Sequence, residues 1–230
     1  MKKGNDMMHY YSEKEIRDII TSVVKESLGG VQSAAQRPCE TGKLSVPVEV
    51  SARHVHLTQE AVEKLFGKGH KLTKKRDLSQ PGEFLAEERV KIVTNKGEFA
   101  NVAVLGPARP AVQVELSMTD CKTLGIKAPV NLSGDLTGAA DVVLFSAGGM
   151  VDARQSAIVA KAHIHMTPKD AQAYGVKDGQ KLSVRLDTPR PVTINDVVIR
   201  VKENFALAMH IDFDEANAAA VSGNVQGCLE

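Results

Sequence analysis

The stretch Arg53-His54-Val55-His56-Leu57-Thr58 recurs 109 residues later as Ala162-His163-Ile164-His165-Met166-Thr167. Each copy follows an apolar run typical of a β-strand, at Val46–Val50 or Ala157–Ala160, and precedes a short stretch of helical character. Residues i and i+2 of a strand point to the same face, so each His-x-His pair directs two imidazoles towards one point. Histidine is the commonest metal ligand in proteins. Two copies in the same context favour metal binding over a purely structural role.

The repeat extends beyond the histidines, because residues 114–121 align with residues 209–216 and place Glu115 opposite His210. Glu115 lies 61 residues after the first histidine of its copy, whereas His210 lies 47 residues after its own. The difference of 14 residues predicts an insertion in the first copy, around residues 67–81. Each copy thus supplies two histidines and one further nitrogen or oxygen ligand. Six such ligands without a thiolate favour two divalent ions, with zinc preferred and iron, cobalt or nickel also compatible.

The composition is that of an ordinary globular protein, with 43% hydrophobic and 25% charged residues in a chain of 230. The net charge of +1 argues against a nucleic acid as the main partner, because a phosphate backbone selects a strongly basic face. No apolar run approaches the roughly 20 residues of a membrane span. Lys2 and Lys3 are not followed by the apolar core of a secretion signal. We therefore expect neither a nucleic-acid partner nor a membrane partner.

Residues 1–30 are predicted to form a separate unit with an amphipathic helix. Ser12 and Glu15 have the spacing of a capping box, and apolar residues then follow at helical spacing as far as Leu28. Residues 31–44 are small, polar and aperiodic, which predicts a flexible linker. A short amphipathic helix cannot bury its apolar stripe alone, so we expect it to dock in a groove of a partner. The alternative is a helix that packs on its own domain.

From Val46 onward the sequence is typical of short strands. Alternating apolar residues flank Asn95-Lys96-Gly97-Glu98, which is a good hairpin turn. Short strands at close spacing predict an all-β fold with barrels. Only short helices are expected there, at about residues 59–66, 119–124, 168–174 and 214–220. No glycine-rich nucleotide-binding motif is present in the sequence.

Three polar residues outside the repeat are further candidates for the site. Arg109 lies in a loop rich in glycine and proline, and its guanidinium suits a bidentate grip on phosphate. Ser133 lies among small residues that let backbone N–H groups approach an anion, and is a second catalytic candidate. Asn217, seven residues after His210, could orient a bound ligand. A surface arginine, a turn serine and a solvated or capping asparagine are the structural alternatives.

Four motifs, in this order along the chain, resemble those of the phosphate propanoyltransferases of bacterial microcompartments. These enzymes are the phosphotransacylases found with propanediol-utilisation shells. The motifs are Ser51–Leu57, Leu105–Arg109 with Gln113–Ser117, Val159–Met166 and Met209–Asn217. The resemblance runs from about Val46 to Ala220. The sequence departs from it at Ser51-Ala52, where an asparagine is common, and at Ala162, where an arginine is common.

The resemblance implies two β-barrels capped by short helices, with an N-terminal amphipathic helix on a flexible linker. The barrels would span residues 53–160 and 161–230, with the strand at 45–52 added to the second. Two zinc ions are implied, and Arg109 would match the phosphate-binding arginine of the family. One ion would be held by His54 and His56, and the other by Glu115, His163, His165 and His210.

The reaction implied is the reversible conversion of propanoyl-CoA, or a similar short acyl-CoA, and phosphate to acyl phosphate and CoA. We favour direct attack of phosphate in a ternary complex, because Cys121 is better interpreted as a buried apolar residue than as an acyl acceptor. The alternative function is a metal-dependent short-chain acyl-CoA hydrolase, in which the same ions would activate water. A non-catalytic assembly protein whose metals only stabilise the barrels is a further alternative.

The resemblance also implies partners and a location. The helix within residues 1–30 resembles the encapsulation peptides that bind shell or core proteins. We therefore expect the protein in the microcompartment lumen, within the bacterial cytoplasm, and the family implies a homodimer.

Overall fold

The structure is a computed structural model that describes residues 12–18, 21 and 44–230. Residues 13–18 and 21 are helical and form α1, whose described side chains are exposed. At its start the Ser12 N–H donates to the Glu15 carboxylate at 2.8 Å, and the Glu15 N–H donates to Ser12 Oγ. This reciprocal pair is the predicted capping box. The rest of the predicted helix, and the predicted linker up to residue 43, lie outside the described residues.

Residues 44–230 consist mainly of β-strands, with four short helices between them. In chain order the elements are β1 (Ser45–Ser51), β2 (His54–His56), α2 (Gln59–Phe66), β3 (Lys74–Asp77), β4 (Phe84–Val93), β5 (Glu98–Gly106), β6 (Gln113–Leu116), α3 (Met118–Leu124), β7 (Val130–Asn131), β8 (Ala140–Phe145), β9 (Met150–Ala160), β10 (His163–Met166), α4 (Pro168–Tyr174), β11 (Lys181–Leu186), β12 (Val192–Val201), β13 (Ala208–Asp212), α5 (Phe213–Ala218) and β14 (Val225–Leu229). No helix in the described ranges is both long enough and apolar enough to cross a bilayer.

The strands close into two barrels. In the first barrel, hydrogen-bonded pairs connect β4, β5, β2, β6, β9 and β8 in that order, and β8 pairs with β4 to complete the ring. In the second barrel the order is β1, β13, β10, β12, β11 and β14, which is also closed. Each barrel has its own apolar core. The predicted all-β class, with two barrels and few short helices, is confirmed.

The two barrels share one plan around the repeated histidines. β2 pairs parallel with β5 and antiparallel with β6, and β10 pairs in the same way with β12 and β13. In this register His54 lies opposite Glu115, and His163 lies opposite His210. The sequence alignment of Glu115 with His210 therefore corresponds to equivalent positions in the fold.

The chain passes from one barrel to the other just before each histidine pair. β1 ends at Ser51 in the second barrel, and β2 begins at His54 in the first. β9 ends at Ala160 in the first barrel, and β10 begins at His163 in the second. Both histidine strands therefore start at the place where the chain crosses between the barrels.

A threonine ends each histidine motif and begins the helix that follows it. Thr58 Oγ1 accepts a hydrogen bond from the Ala61 N–H at 3.0 Å, and Thr167 Oγ1 accepts one from the Asp170 N–H at 3.1 Å. Such N-caps satisfy backbone donors that the first helical turn leaves free. They fix the direction in which the chain leaves the histidine strands.

The inserted region of the first copy contains a strand that the sequence did not indicate. The charged run from Lys71 to Arg76 is typical of a solvated loop, but the structure forms β3 over Lys74–Asp77, paired with β4. All four β3 residues are exposed. An edge strand with all its side chains in water needs no apolar alternation, so the sequence pattern does not indicate it.

Candidate active site between the barrels

A cavity of about 800 Å³ contains all six residues of the repeated motif in its lining. Residues of both barrels form its walls. The repeated residues that line it are His54, His56, Glu115, His163, His165 and His210. Arg109, Ser133 and Arg200 also line it. Histidines separated by more than 100 positions in the sequence thus face a common space.

The first half of the site is a compact triad of His54, His56 and Glu115, in which all three residues are buried. One ligand atom from each residue lies within 4.8 Å of the others. Glu115 Oε2 is 3.5 Å from His54 Nε2, and Glu115 Oε1 is 3.8 Å from His56 Nε2. The structure thus groups Glu115 with His54 and His56, which differs from the two-and-four division that the family resemblance implied. The geometric reason is the direct β2–β6 pairing of His54 with Glu115.

The second half of the site is formed by His163, His165 and His210. Their ring centroids lie 4.7 Å, 4.8 Å and 5.3 Å apart. His163 and His165 are buried, and His210 is partly buried. Both ring nitrogens of His165 are buried without a hydrogen-bond partner among the described residues. Unpaired buried polar atoms are costly, so these nitrogens fit a site whose partner is a metal ion.

The first histidine of each pair is oriented in the same way. His54 Nδ1 lies 2.8 Å from the carbonyl oxygen of Ala52, and His163 Nδ1 lies 2.8 Å from that of Lys161. A carbonyl only accepts hydrogen bonds, so Nδ1 is the protonated nitrogen in both rings. Nε2 is then free to bind a metal, as in many histidine sites where the other ring nitrogen donates to a carbonyl.

Burial makes most of these histidines neutral. It lowers the pKa of His163 and of His210 to about 4, and that of His165 to about 2, with neighbouring positive charges adding to the effect. Burial also brings the pKa of His56 well below its usual range. Neutral imidazole is the form that binds a metal. These four side chains are therefore ready to bind a metal at neutral pH.

The carboxylate makes the first triad electrostatically different. Burial opposes ionisation of Glu115, but the charge of His54 and its hydrogen bond to the carboxylate hold the pKa of Glu115 well below the usual range. Burial likewise opposes charging of His54, but the charge of Glu115 and its hydrogen bond raise that pKa. The first triad thus offers two imidazoles and one anionic carboxylate. This combination of donors suits a divalent ion such as zinc.

Comparison with known proteins identifies the family. The phosphate propanoyltransferase family profile matches residues 47–222. A phosphate propanoyltransferase of Leptotrichia buccalis is 50% identical over 80% of this chain and 87% of its own length. One from Alkaliphilus metalliredigens is 43% identical over 94% of this chain and 97% of its own. One from Clostridioides difficile is 46% identical, over 90% and 91% respectively.

The chain belongs to the phosphate propanoyltransferase family. It is accordingly an enzyme of the transferase class. The resemblance inferred from the four sequence motifs is confirmed.

Two of the three additional candidates lie in the cavity of this transferase, and the third does not. Arg109 and Ser133 both line the cavity, and an Arg109 N–H donates to Ser133 Oγ at 3.2 Å. Arg109 also forms an ion pair with Glu83 at 2.7 Å. Asn217 is exposed on α5 and is not part of the cavity wall. Cys121 is buried, and burial raises the pKa of its thiol to about 11, which leaves no thiolate to accept an acyl group.

Sequence reasoning missed Gln113, which connects Glu115 to Ser133. Its buried side-chain amide donates to Glu115 Oε1 at 2.6 Å and to Ser133 Oγ at 2.8 Å. Its carbonyl oxygen accepts from the Gly134 N–H at 2.8 Å. Gln113 lies two residues before Glu115 on β6, so the period-2 rule for strands could have placed it on the same face.

Gln80 was also missed, and no sequence pattern indicated it. It belongs to the inserted region of the first barrel, and its buried amide forms two hydrogen bonds with the backbone of Ala206, at 3.0 Å and 3.2 Å. Its Nε2 lies 3.5 Å from Nε2 of His210. The insertion of the first copy therefore contacts the three-histidine group of the second.

Proposed function

We propose that this enzyme transfers a short acyl group between CoA and phosphate, with propanoyl-CoA and propanoyl phosphate as its principal acyl substrates. Family membership supports the reaction type. The observation that carries the proposal is the cavity in which two histidine-containing triads face Arg109. A partly buried cationic side chain beside candidate metal ligands is suited to an anionic nucleophile such as phosphate.

We infer that the two triads hold two divalent ions, most simply zinc. His54, His56 and Glu115 would hold one ion, and His163, His165 and His210 the other. The donor set of imidazoles with one carboxylate fits zinc, and the unpaired buried nitrogens of His165 support a metal at the second triad. When bound, such ions polarise a carbonyl oxygen and stabilise a departing thiolate.

Arg109 and Ser133 supply the positioning of phosphate. The guanidinium of Arg109 is held between Glu83 and Ser133, so its direction is fixed before substrate arrives. Gln113 holds Glu115 and Ser133 in one hydrogen-bonded chain. Holding two reactants in the correct orientation can supply several kcal/mol, about 7–11 at best.

The chemical step is a direct acyl transfer. An oxygen of phosphate forms a bond with the thioester carbonyl carbon, and the carbon–sulfur bond breaks. The sulfur leaves as the CoA thiolate and takes the proton released from phosphate. No acyl-enzyme is formed, in agreement with the buried, protonated Cys121.

The test is thiol release from propanoyl-CoA with and without phosphate, with acyl phosphate trapped as its hydroxamate. We expect thiol release to require phosphate and to yield one acyl phosphate for each thiol. Release without phosphate, with free propanoate as product, would instead show an acyl-CoA hydrolase and would overturn the proposal. Arg109→Lys retains the charge but loses the bidentate fork, so it should raise the KM for phosphate more than that for propanoyl-CoA.

We further propose that residues 1–30 direct the enzyme to shell or core proteins of a bacterial microcompartment, with residues 31–44 as a linker. The barrels would then form the catalytic unit, over residues 53–160 and 161–230 with the strand at 45–52, and would assemble as a homodimer. The charged face of the predicted helix and its separate apolar stripe support this role.

A further inference from the structure

Each triad has an arginine of its own. Arg200 lies on β12, opposite His165 in the parallel pairing with β10, and its side chain lines the cavity. Besides burial, the charge of Arg200 contributes to the lowered pKa of His163, His165 and His210. Arg109 likewise helps to lower the pKa of His56, and it opposes the raised pKa of His54. The cavity thus has one guanidinium near each set of ligands.

The two arginines differ in their partners. Arg109 is neutralised by Glu83 at 2.7 Å and bonded to Ser133. The half-buried guanidinium of Arg200 forms no ion pair and no hydrogen bond with any described residue. Its Cζ lies 5.8 Å from the centroid of the Phe205 ring. Lys202, two residues further on, also lines the cavity and contacts the same ring at 5.4 Å.

An unpaired guanidinium at this position is costly in the free enzyme. Removing a charge from water without a directly bonded partner is unfavourable, and burial lowers the pKa of Arg200, although the more distant charges of Glu115, Asp178 and Glu83 oppose this effect. A divalent ion on the three neighbouring imidazoles would add repulsion between like charges. An anion bound between them would remove both costs, and phosphate oxygens match the planar fork of arginine.

We propose that Arg200 is a second phosphate-binding residue of the active site, which contacts a phosphate oxyanion at the His163–His165–His210 triad. This inference rests on the proposed acyl transfer and deepens it. The oxyanion is that of the attacking phosphate, because Arg200 is paired in register with the ligand His165. The phosphate groups of CoA have the same chemistry and are the other source that the experiment must separate.

The test compares Arg200→Gln, Arg200→Lys and a control, Arg185→Gln, in the zinc-loaded enzyme. Arg185 lies in the same barrel, on β11, and forms an exposed ion pair with Asp187 away from the cavity. We expect Arg200→Gln to raise the KM for phosphate by about 10- to 100-fold, the loss typical of a charge-assisted hydrogen bond. The KM for propanoyl-CoA should stay within about twofold of the parent. Arg200→Lys should recover part of the loss, and the control should match the parent.

The melting temperature in the presence of inorganic phosphate tests binding separately from turnover. Inorganic phosphate should raise the melting temperature of the parent and of Arg185→Gln, and this rise should be smaller in Arg200→Gln. If Arg200 instead contacts CoA, the KM for propanoyl-CoA will be higher in Arg200→Gln than in the parent. With propanoyl-pantetheine, which lacks the nucleotide, the parent and Arg200→Gln will then have equal KM values. That result would support a phosphate contact but assign it to CoA.

Equal KM values for both substrates in Arg200→Gln and the parent, with an equal response of melting temperature to phosphate, would overturn the inference. A lower melting temperature with unchanged KM values would show a purely structural arginine and would overturn it too. A parent enzyme that releases thiol without phosphate would instead remove the proposed function itself, so the two failures are distinguishable.

Discussion

Glu115 and His210 occupy equivalent positions in the two barrels but give their triads different charge. Glu115 lies opposite His54, and His210 lies opposite His163. The first triad is therefore two imidazoles and a carboxylate, and the second is three imidazoles. A carboxylate neutralises part of the charge of a divalent ion, so we expect the first triad to bind its ion more tightly than the second.

Replacing Glu115 by Gln removes that anionic ligand while keeping its size. We expect the variant to retain one metal ion rather than two, measured by elemental analysis after dialysis. Activity should fall by more than about 100-fold. Mutation of a residue that only hydrogen-bonds to a metal ligand already lowers metal affinity or activity by about 10–100-fold, and Glu115 is itself a proposed ligand. Glu87→Gln, at an exposed ion pair with Lys75, is the control and should keep both ions. Two ions in the Glu115 variant would contradict the assignment.

At the residue scale the sequence predicted the six residues that meet in the cavity, but not the side chains that support them. The six candidate ligands were recognised because they are repeated and keep strand spacing, and all six line the cavity. Gln80 and Glu83 were not, because their partners, Ala206 and Arg109, lie on separate parts of the chain. Asn217 is exposed on α5 and is not part of the cavity wall, so its role in orienting a bound ligand stays a prediction.

The short helices behind the histidine strands determine how those strands end. α4 begins at Pro168 with a capping box between Thr167 and Asp170. Thr167→Ala removes an N-cap and should lower the free energy of unfolding by about 1 kcal/mol. Urea unfolding of the metal-free protein measures this loss. Thr167→Ser keeps the hydroxyl and should lose less than half as much, and equal losses in the two variants would contradict the capping role.

We predict that the N-terminal segment is not needed for catalysis. Among the described residues, those that line the cavity lie between Glu49 and His210. We expect deletion of residues 1–30 to leave kcat/KM within about twofold of the parent. The shortened enzyme should no longer co-sediment with purified microcompartment shells, whereas the full chain should. A large loss of activity, or unchanged co-sedimentation, would contradict the encapsulation role.

The sequence predicted helices and hairpins well where the apolar periodicity and the residues typical of their ends agree. The helices expected at 59–66 and 168–174 coincide with α2 and α4, because a threonine cap and a terminal glycine mark their ends. The hairpin at residues 95–98 is also confirmed, with β4 and β5 on either side. β3 was missed because its exposed Lys-Lys-Arg-Asp sequence has no alternation, and its conformation depends on pairing with β4.

At the scale of the whole molecule, the buried histidines make the stability of the metal-free protein depend on pH. The folded-state pKa values of His163 and His210 are about 4 and that of His165 is about 2, against 6.5 for the free side chain. Their contribution to stability is thus complete above about pH 6.5 and is lost as the pH falls, towards about 4 for His163 and His210 and towards about 2 for His165. His54 and Glu215, whose pKa values are raised, act in the opposite direction.

His165→Asn isolates one of these contributions. Between pH 7 and pH 5 the metal-free parent should lose about 1 to 2 kcal/mol more of its unfolding free energy than the variant, because the unfolded chain gains a proton at residue 165 and the folded one does not. Urea titrations of both proteins at the two pH values measure the difference. An identical pH dependence would mean that His165 is not held neutral by the fold.

The spacing of the strands in the sequence predicted a fold with barrels. It did not by itself predict that the chain passes from one barrel to the other before each histidine strand. β1 pairs with β13 and β14, and β9 pairs with β6 and β8, so each barrel borrows a strand that precedes the histidine strand of the other. Such pairing joins segments far apart in the chain, and the periodicity of a single segment does not indicate its partner. The result is that both triads open onto one cavity.

The central claim is that two triads, one from each barrel, hold two divalent ions that the transfer reaction requires. Metal titration of the chelator-treated enzyme tests it most directly, with bound zinc and phosphate-dependent thiol release followed in the same samples. The account predicts no activity without metal and full activity when two equivalents are bound per chain. Full activity in protein that contains no transition metal would contradict it.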